Sequence, residues 1–162
     1  MTHLPHDIGV DGTTRLRKAL LCIATIVLAA TPAFAQQTAA GRVKVVSGVA
    51  YIVRGGEAVP VQVGQPVYEA DGLRTGPDGR IGVTLNDETR VSLGPNSEVR
   101  LDRFAYAPSE GRLGFVLQML QGVASYVSGR IAKLSPDSVR LEAPAAIVGV
   151  RGTTLAMRVV PE

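Results

Sequence analysis

Tryptophan is absent from this sequence, and cysteine and histidine nearly so, with one Cys and two His. These residues, His3, His6 and Cys22, all precede position 35. The same stretch has the layout of a secretory signal peptide. Arg15, Arg17 and Lys18 precede an apolar run from Ala19 to Ala30, and Pro32 and Ala33-Phe34-Ala35 follow as an A-x-A cleavage site. The run is shorter than the roughly 20 apolar residues of a spanning helix and ends at a proline, so it predicts cleavage after Ala35 rather than a retained anchor. Cys22 lies inside the run, between Leu21 and Ile23, which does not suit a lipidation site. Residues 1–35 therefore read as the signal peptide, 36–41 as a short linker and 42–160 as one domain able to bury a core.

The mature chain then holds no Cys, His or Trp. Disulfides are excluded, as are Cys/His zinc sites and any Ser-His-Asp or Cys-His relay. No enzyme, metal or cofactor is expected. Charge points the same way. The formal net charge is +3 for the whole chain, and its arginines are spread along the sequence rather than clustered. A nucleic-acid partner would require a basic face, so none is expected.

The pattern from Arg42 onward has period two. Val43, Val45, Val49, Tyr51 and Val53 alternate with polar residues or glycine, as do Ile81, Val83 and Leu85, then Val91 and Leu93, then Val99 and Leu101. Alternation of this kind marks half-buried strands, and it predicts that odd-numbered apolar residues supply much of the core. Turn signals interrupt the runs at Arg54-Gly55-Gly56-Glu57, Gly76-Pro77-Asp78-Gly79, Asn86-Asp87-Glu88 and Gly94-Pro95-Asn96-Ser97. Short strands separated by turns every ~10 residues predict an all-β fold. The arrangement is a compact two-layer or solenoid-like β domain, with a jelly-roll sandwich as the alternative. Gly129 to Pro136 reads as an exposed loop. Ile147–Val150 and Thr153–Val159 read as the last strand pair, with Thr153, Leu155, Met157 and Val159 on one face.

Candidate chemistry is sparse. Asp87 and Glu88 are adjacent in a turn and should point apart, which argues against paired acid–base work. Asp71 and Asp78 lack the dense oxygen-ligand spacing of a calcium loop. Val148-Gly149-Val150-Arg151-Gly152-Thr153-Thr154 lacks the third glycine and following helix of a dinucleotide loop. Its β-branched residues favour a strand. The reading is a tight turn or bulge that closes the fold, with the Arg151 guanidinium bonding backbone carbonyls or a carboxylate.

Three stretches together resemble the FecR domain family: Asp71 to Arg80 (DGLRTGPDGR), Thr89 to Leu101 (TRVSLGPNSEVRL) and Pro144 to Thr153 (PAAIVGVRGT). With the Gly48 and Gly64 regions the resemblance covers roughly residues 40 to 160. Its motif positions are Gly72, Thr75, Gly76, Gly79, Gly94, Asn96, Pro144, Gly149, Arg151, Gly152 and Thr153, all read as structural. Asn86-Asp87-Glu88 departs from the family's usual Asp-Gly-Ser turn. Full-length family regulators carry a sigma-factor-acting part, a membrane span and a receptor-contacting part. The resemblance here implies an exported, stand-alone domain with no transmembrane anchor after cleavage, periplasmic or else secreted. The expected function is a non-enzymatic binding or signalling module that contacts another envelope protein. The alternative is a module that binds cell-wall glycan or another polysaccharide. The poverty of aromatics, with Tyr51, Tyr68, Tyr106 and Tyr126 as the only tyrosines, weighs against glycan.

Overall fold

The computed structural model describes residues 37–144, 146–149 and 154–160, all within one compact unit that begins at Gln37. The expected signal peptide and the Arg151, Gly152 and Thr153 positions lie outside the described residues.

The fold is all-β. Its strands are β1 (Gly41–Ser47), β2 (Ala50–Arg54), β3 (Glu57–Pro60), β4 (Pro66–Val67), β5 (Gly72–Thr75) and β6 (Arg80–Leu85), followed by β7 (Arg90–Leu93), β8 (Glu98–Ala107), β9 (Arg112–Val127), β10 (Val139–Ala143), β11 (Ala146–Gly149) and β12 (Thr154–Val159). They form one sheet in the order β3-β2-β5-β8-β9-β7-β6-β1-β4, with β10 and β12 also on β9 and β11 on β10. The sheet curls into a half-barrel. Neighbours such as β2 and β5, β5 and β8, and β1 and β6 are distant in sequence and antiparallel, so successive strands do not stack as solenoid rungs.

The long strand β9 makes the curl. Its first half pairs with β8 and, in parallel, with β10. Its second half pairs with β7 and β12. The buried face changes parity between the halves: Phe115, Leu117 and Met119 are buried in the first, Ala124 and Tyr126 in the second. The switch falls at Gly122, whose φ is +86°, beside a register shift in the β8 pairing between Glu98 and Val99. Any side chain at Gly122 would place its Cβ 2.4 Å from the Asn96 carbonyl oxygen, so only glycine fits. A strand that bends in this way can serve both halves of a curled sheet.

The alternation holds in β6, β7, β8 and β10, which bury Ile81, Val83, Leu85, Val91, Leu93, Val99, Leu101, Val139 and Leu141. Burying each of these large side chains contributes about 1.5–3 kcal/mol. It fails near the start. Val45 and Val49 are exposed, and Ala50 and Ile52 are buried in their stead. The cause is a register shift in β1 between Val43 and Val45, followed by the Gly48 turn, which together move the inward face to even numbers.

Two further expectations are corrected. Residues 129–136 are not an open loop, because Arg130–Leu134 form a short helix, α1, with Ile131 fully buried. The last two strands do not pair with each other: β11 adds to β10 and β12 adds to β9. On β12, Leu155, Met157 and Val159 do share the inward face.

Candidate functional site

The first two resemblance stretches meet in space. The Thr75 hydroxyl donates to the Gly94 carbonyl at 2.7 Å and accepts from the Ser97 backbone N–H at 2.9 Å. Thr75 N–H in turn donates to the Ser97 carbonyl, and Asn96 N–H and Gly79 N–H both donate to the Gly76 carbonyl. A Cβ at Gly79 would lie 2.0 Å from the Val49 carbonyl oxygen, so the turn closes only without a side chain. Asn96 has φ +50°, a left-handed position its short amide side chain tolerates. The Ser97 hydroxyl accepts from Val123 N–H at 2.8 Å and lies 3.0 Å from the Val123 carbonyl. The β5–β6 and β7–β8 turns are thereby clasped to β9 just past its bend.

Thr75, Gly76, Gly79, Gly94 and Asn96 therefore form one corner. Gly72 stands elsewhere, paired with Val53 and Arg100 in the middle of the sheet. Pro144 is exposed in the turn after β10, and Gly149 lies opposite Arg140 in β11. Ser97 is fully buried and holds the corner as firmly as Thr75. Its place within Gly94-Pro95-Asn96-Ser97 was the only signal for it.

Beside the corner lies a groove of about 280 Å³. Pro95, Asn96, Val123, Arg158, Val159 and Val160 line it, and Val123 and Val160 are exposed there. One wall is β12, which pairs only with β9 among the described strands. The other ends of the sheet differ. β3 is wholly exposed but carries Glu57 and Pro60, and β4 is only two residues long, both common ways of blunting an edge. β12 offers six residues without proline. No sequence pattern pointed to this groove, because it depends on which strand lies next to β9.

The acids hold structure. Asp71 is buried, receives both Nε and Nη2 of Arg54 at 2.7 Å, and accepts from Tyr68 N–H at 2.8 Å. Arg54 lies 4.5 Å above the Tyr68 ring. The hydrogen bonds to Asp71 raise the Arg54 pKa above the usual arginine value. Asp87 and Glu88 point apart, as expected. The Asp87 carboxylate is buried and accepts from Thr89 N–H, the Thr89 hydroxyl and Ile131 N–H. Glu88 is exposed and pairs with Arg130 at 2.7 Å. Among the described residues no group of His, Cys, Asp or Glu could hold a metal ion. No helix among them is long and apolar enough to cross a membrane.

These observations define the class as a β-sheet domain closed by clasped turns, whose acidic residues brace the fold. A family model described as FecR protein matches residues 71–161, and the chain belongs to the FecR family. That family comprises regulatory and signalling domains associated with the cell envelope. The match begins at Asp71, so β1 to β4 stand before it. No curated protein and no solved structure matches the chain.

Proposed function

We propose that this chain is an exported, non-enzymatic FecR-like module that contacts another envelope protein through the free edge of β12. An extended segment of the partner adds to that edge and seats an apolar side chain in the groove beside Val123 and Val160. The observation that carries this reading is the six-residue strand β12, whose outer edge pairs with no other described strand, lying directly beside an apolar groove. Main-chain pairing gives affinity in such contacts, and a side-chain pocket gives selectivity. Export rests on the reading of residues 1–35, and the motif residues of the corner act structurally by holding one wall of the groove.

A photo-crosslinking residue placed at Val160, with a second at Lys133 as a control, tests this in living cells. Capture at Val160 of one membrane sensor or receptor, lost when Val123→Asp is added, supports the contact. Equal capture at both positions, or recovery of wall fragments alone, overturns it.

The glycan reading needs open aromatic platforms. Tyr126 is buried, and Tyr51, Tyr68 and Tyr106 are each half-buried. No observation favours it.

A further inference from the structure

Val116 on β9 is flanked in register by two arginines, Arg103 of β8 on one side and Arg140 of β10 on the other. Neighbouring strands lie about 4.8 Å apart, so these residues stand roughly 10 Å from each other across β9. Both are exposed, while the adjacent Phe115 and Leu117 face the core. Arg54, Arg74, Arg100, Arg112 and Arg130 each pair with a carboxylate. Neither Arg103 nor Arg140 forms an ion pair with a described residue.

Gly114 shares the outer face with Val116. A Cβ there would lie 2.9 Å from Arg103 Nε and 3.2 Å from its Cζ. The absent side chain gives the guanidinium a floor, and Gly114 is buried beneath it. The resulting cleft of about 300 Å³ is lined by Arg103, Gly114, Val116, Asp137, Ser138 and Arg140. The Ser138 hydroxyl is hydrogen-bonded with that of Ser135 at 2.7 Å.

We propose that this cleft binds a carboxylate carried by an acidic peptide segment. The two guanidiniums flank one apolar residue on the outer face, where they attract a carboxylate. The Arg103 guanidinium lying on Gly114 can present two parallel N–H groups to a carboxylate. The apolar part of the lining is Val116 and the neighbouring Leu113, which suits the methylenes of a glutamate and offers no ring for a sugar to stack on. The cleft uses the first half of β9 and is independent of the β12 edge, which pairs with the second half.

The experiment is an NMR titration of the purified protein with acetyl-Gly-Glu-Glu-Gly-amide, following the Gly114 amide and the Nε–H signals of Arg103 and Arg140. Saturable shifts that weaken with added salt are expected. Arg103→Gln and Arg140→Gln should each weaken binding by about tenfold, with melting temperature unchanged because both side chains are exposed. Gly114→Ala should weaken it similarly by displacing Arg103. Three results would overturn the assignment: no saturable shift, equal binding of the Gln-Gln peptide, or unchanged binding in both arginine variants. Tighter binding of inorganic phosphate or of an oligogalacturonate at the same resonances would overturn it too.

Discussion

Phe115 and Tyr126 belong to one strand yet meet inside the core, with ring centroids 5.5 Å apart and planes tilted by 37°. They lie on either side of Gly122, so their contact joins the two halves of the sheet across the bend in β9. Both are fully buried. An aromatic pair in this geometry adds about 0.5–1.5 kcal/mol beyond its buried area.

Tyr126 gives the fold an alkaline limit. Burial raises its pKa above 10.0, and nearby Asp87 adds to the effect, while the proximity of Ser128 and Thr89 opposes it. The folded state therefore holds this proton more tightly than the unfolded chain. The contribution is complete below pH 10 and is lost as pH rises toward the folded-state value. Stability should fall above pH 10 with a slope of up to about 1.4 kcal/mol per pH unit from this residue. Tyr126→Phe should flatten that limb in urea titrations run from pH 9 to 11.5. An unchanged slope would show that Tyr126 does not set it.

Arg54→Ala should leave the Asp71 carboxylate buried with only the Tyr68 N–H as partner. The arginine side chain is 47 % exposed, so solvent screening reduces the cost below that of a fully buried pair. A loss of about 2 kcal/mol is expected. Chemical denaturation measures it, and Arg54→Lys should restore only part because it cannot make the bidentate contact.

Thr75→Val keeps shape and removes the hydroxyl that bridges Gly94 and Ser97. The buried Ser97 N–H and the part-buried Gly94 carbonyl lose a partner, which should cost about 1–3 kcal/mol. Ser97→Ala should cost a similar amount, and the double variant should cost less than the sum, since both act on one corner. Full additivity would show that the two turns are held separately.

Asp87→Ala should release α1. Its carboxylate and carbonyl both bind the start of that helix, at Ile131 N–H and Arg130 N–H. Hydrogen exchange at those two amides should speed up far more than at Val83 or Val91, with a global loss of about 2 kcal/mol. Uniform acceleration would mean that the helix unfolds only with the whole domain.

Parts of this architecture were legible in the residues. The alternation of Ile81, Val83 and Leu85 and of Val91 and Leu93 showed strands with one apolar face. The Gly76-Pro77-Asp78-Gly79 and Gly94-Pro95-Asn96-Ser97 turns were marked by residues that favour turn dihedrals. The same two stretches carried the family resemblance. The reading of Val45 and Val49 as core failed because the register shift in β1 and the Gly48 turn move the inward face to even numbers through Ala50 and Ile52, before odd-numbered residues face inward again from Leu73 onward. The helix at Arg130–Leu134 was missed because five residues hold too little periodicity, and its stability comes from Asp87, 44 positions upstream of Ile131.

The sequence by itself determined that the chain is β-rich, where most turns fall, and that Cys/His chemistry is absent after residue 35. Each of these follows from composition or from local spacing. Only the tertiary structure decided which strands adjoin. It set the parity reversal at Gly122, placed Arg103 and Arg140 on either side of Val116, and gave β12 an outer edge that pairs with no other described strand, beside a groove. A period of two states which side chains face inward together, but it is the same for every strand. The choice of neighbour comes from packing between residues far apart in the chain.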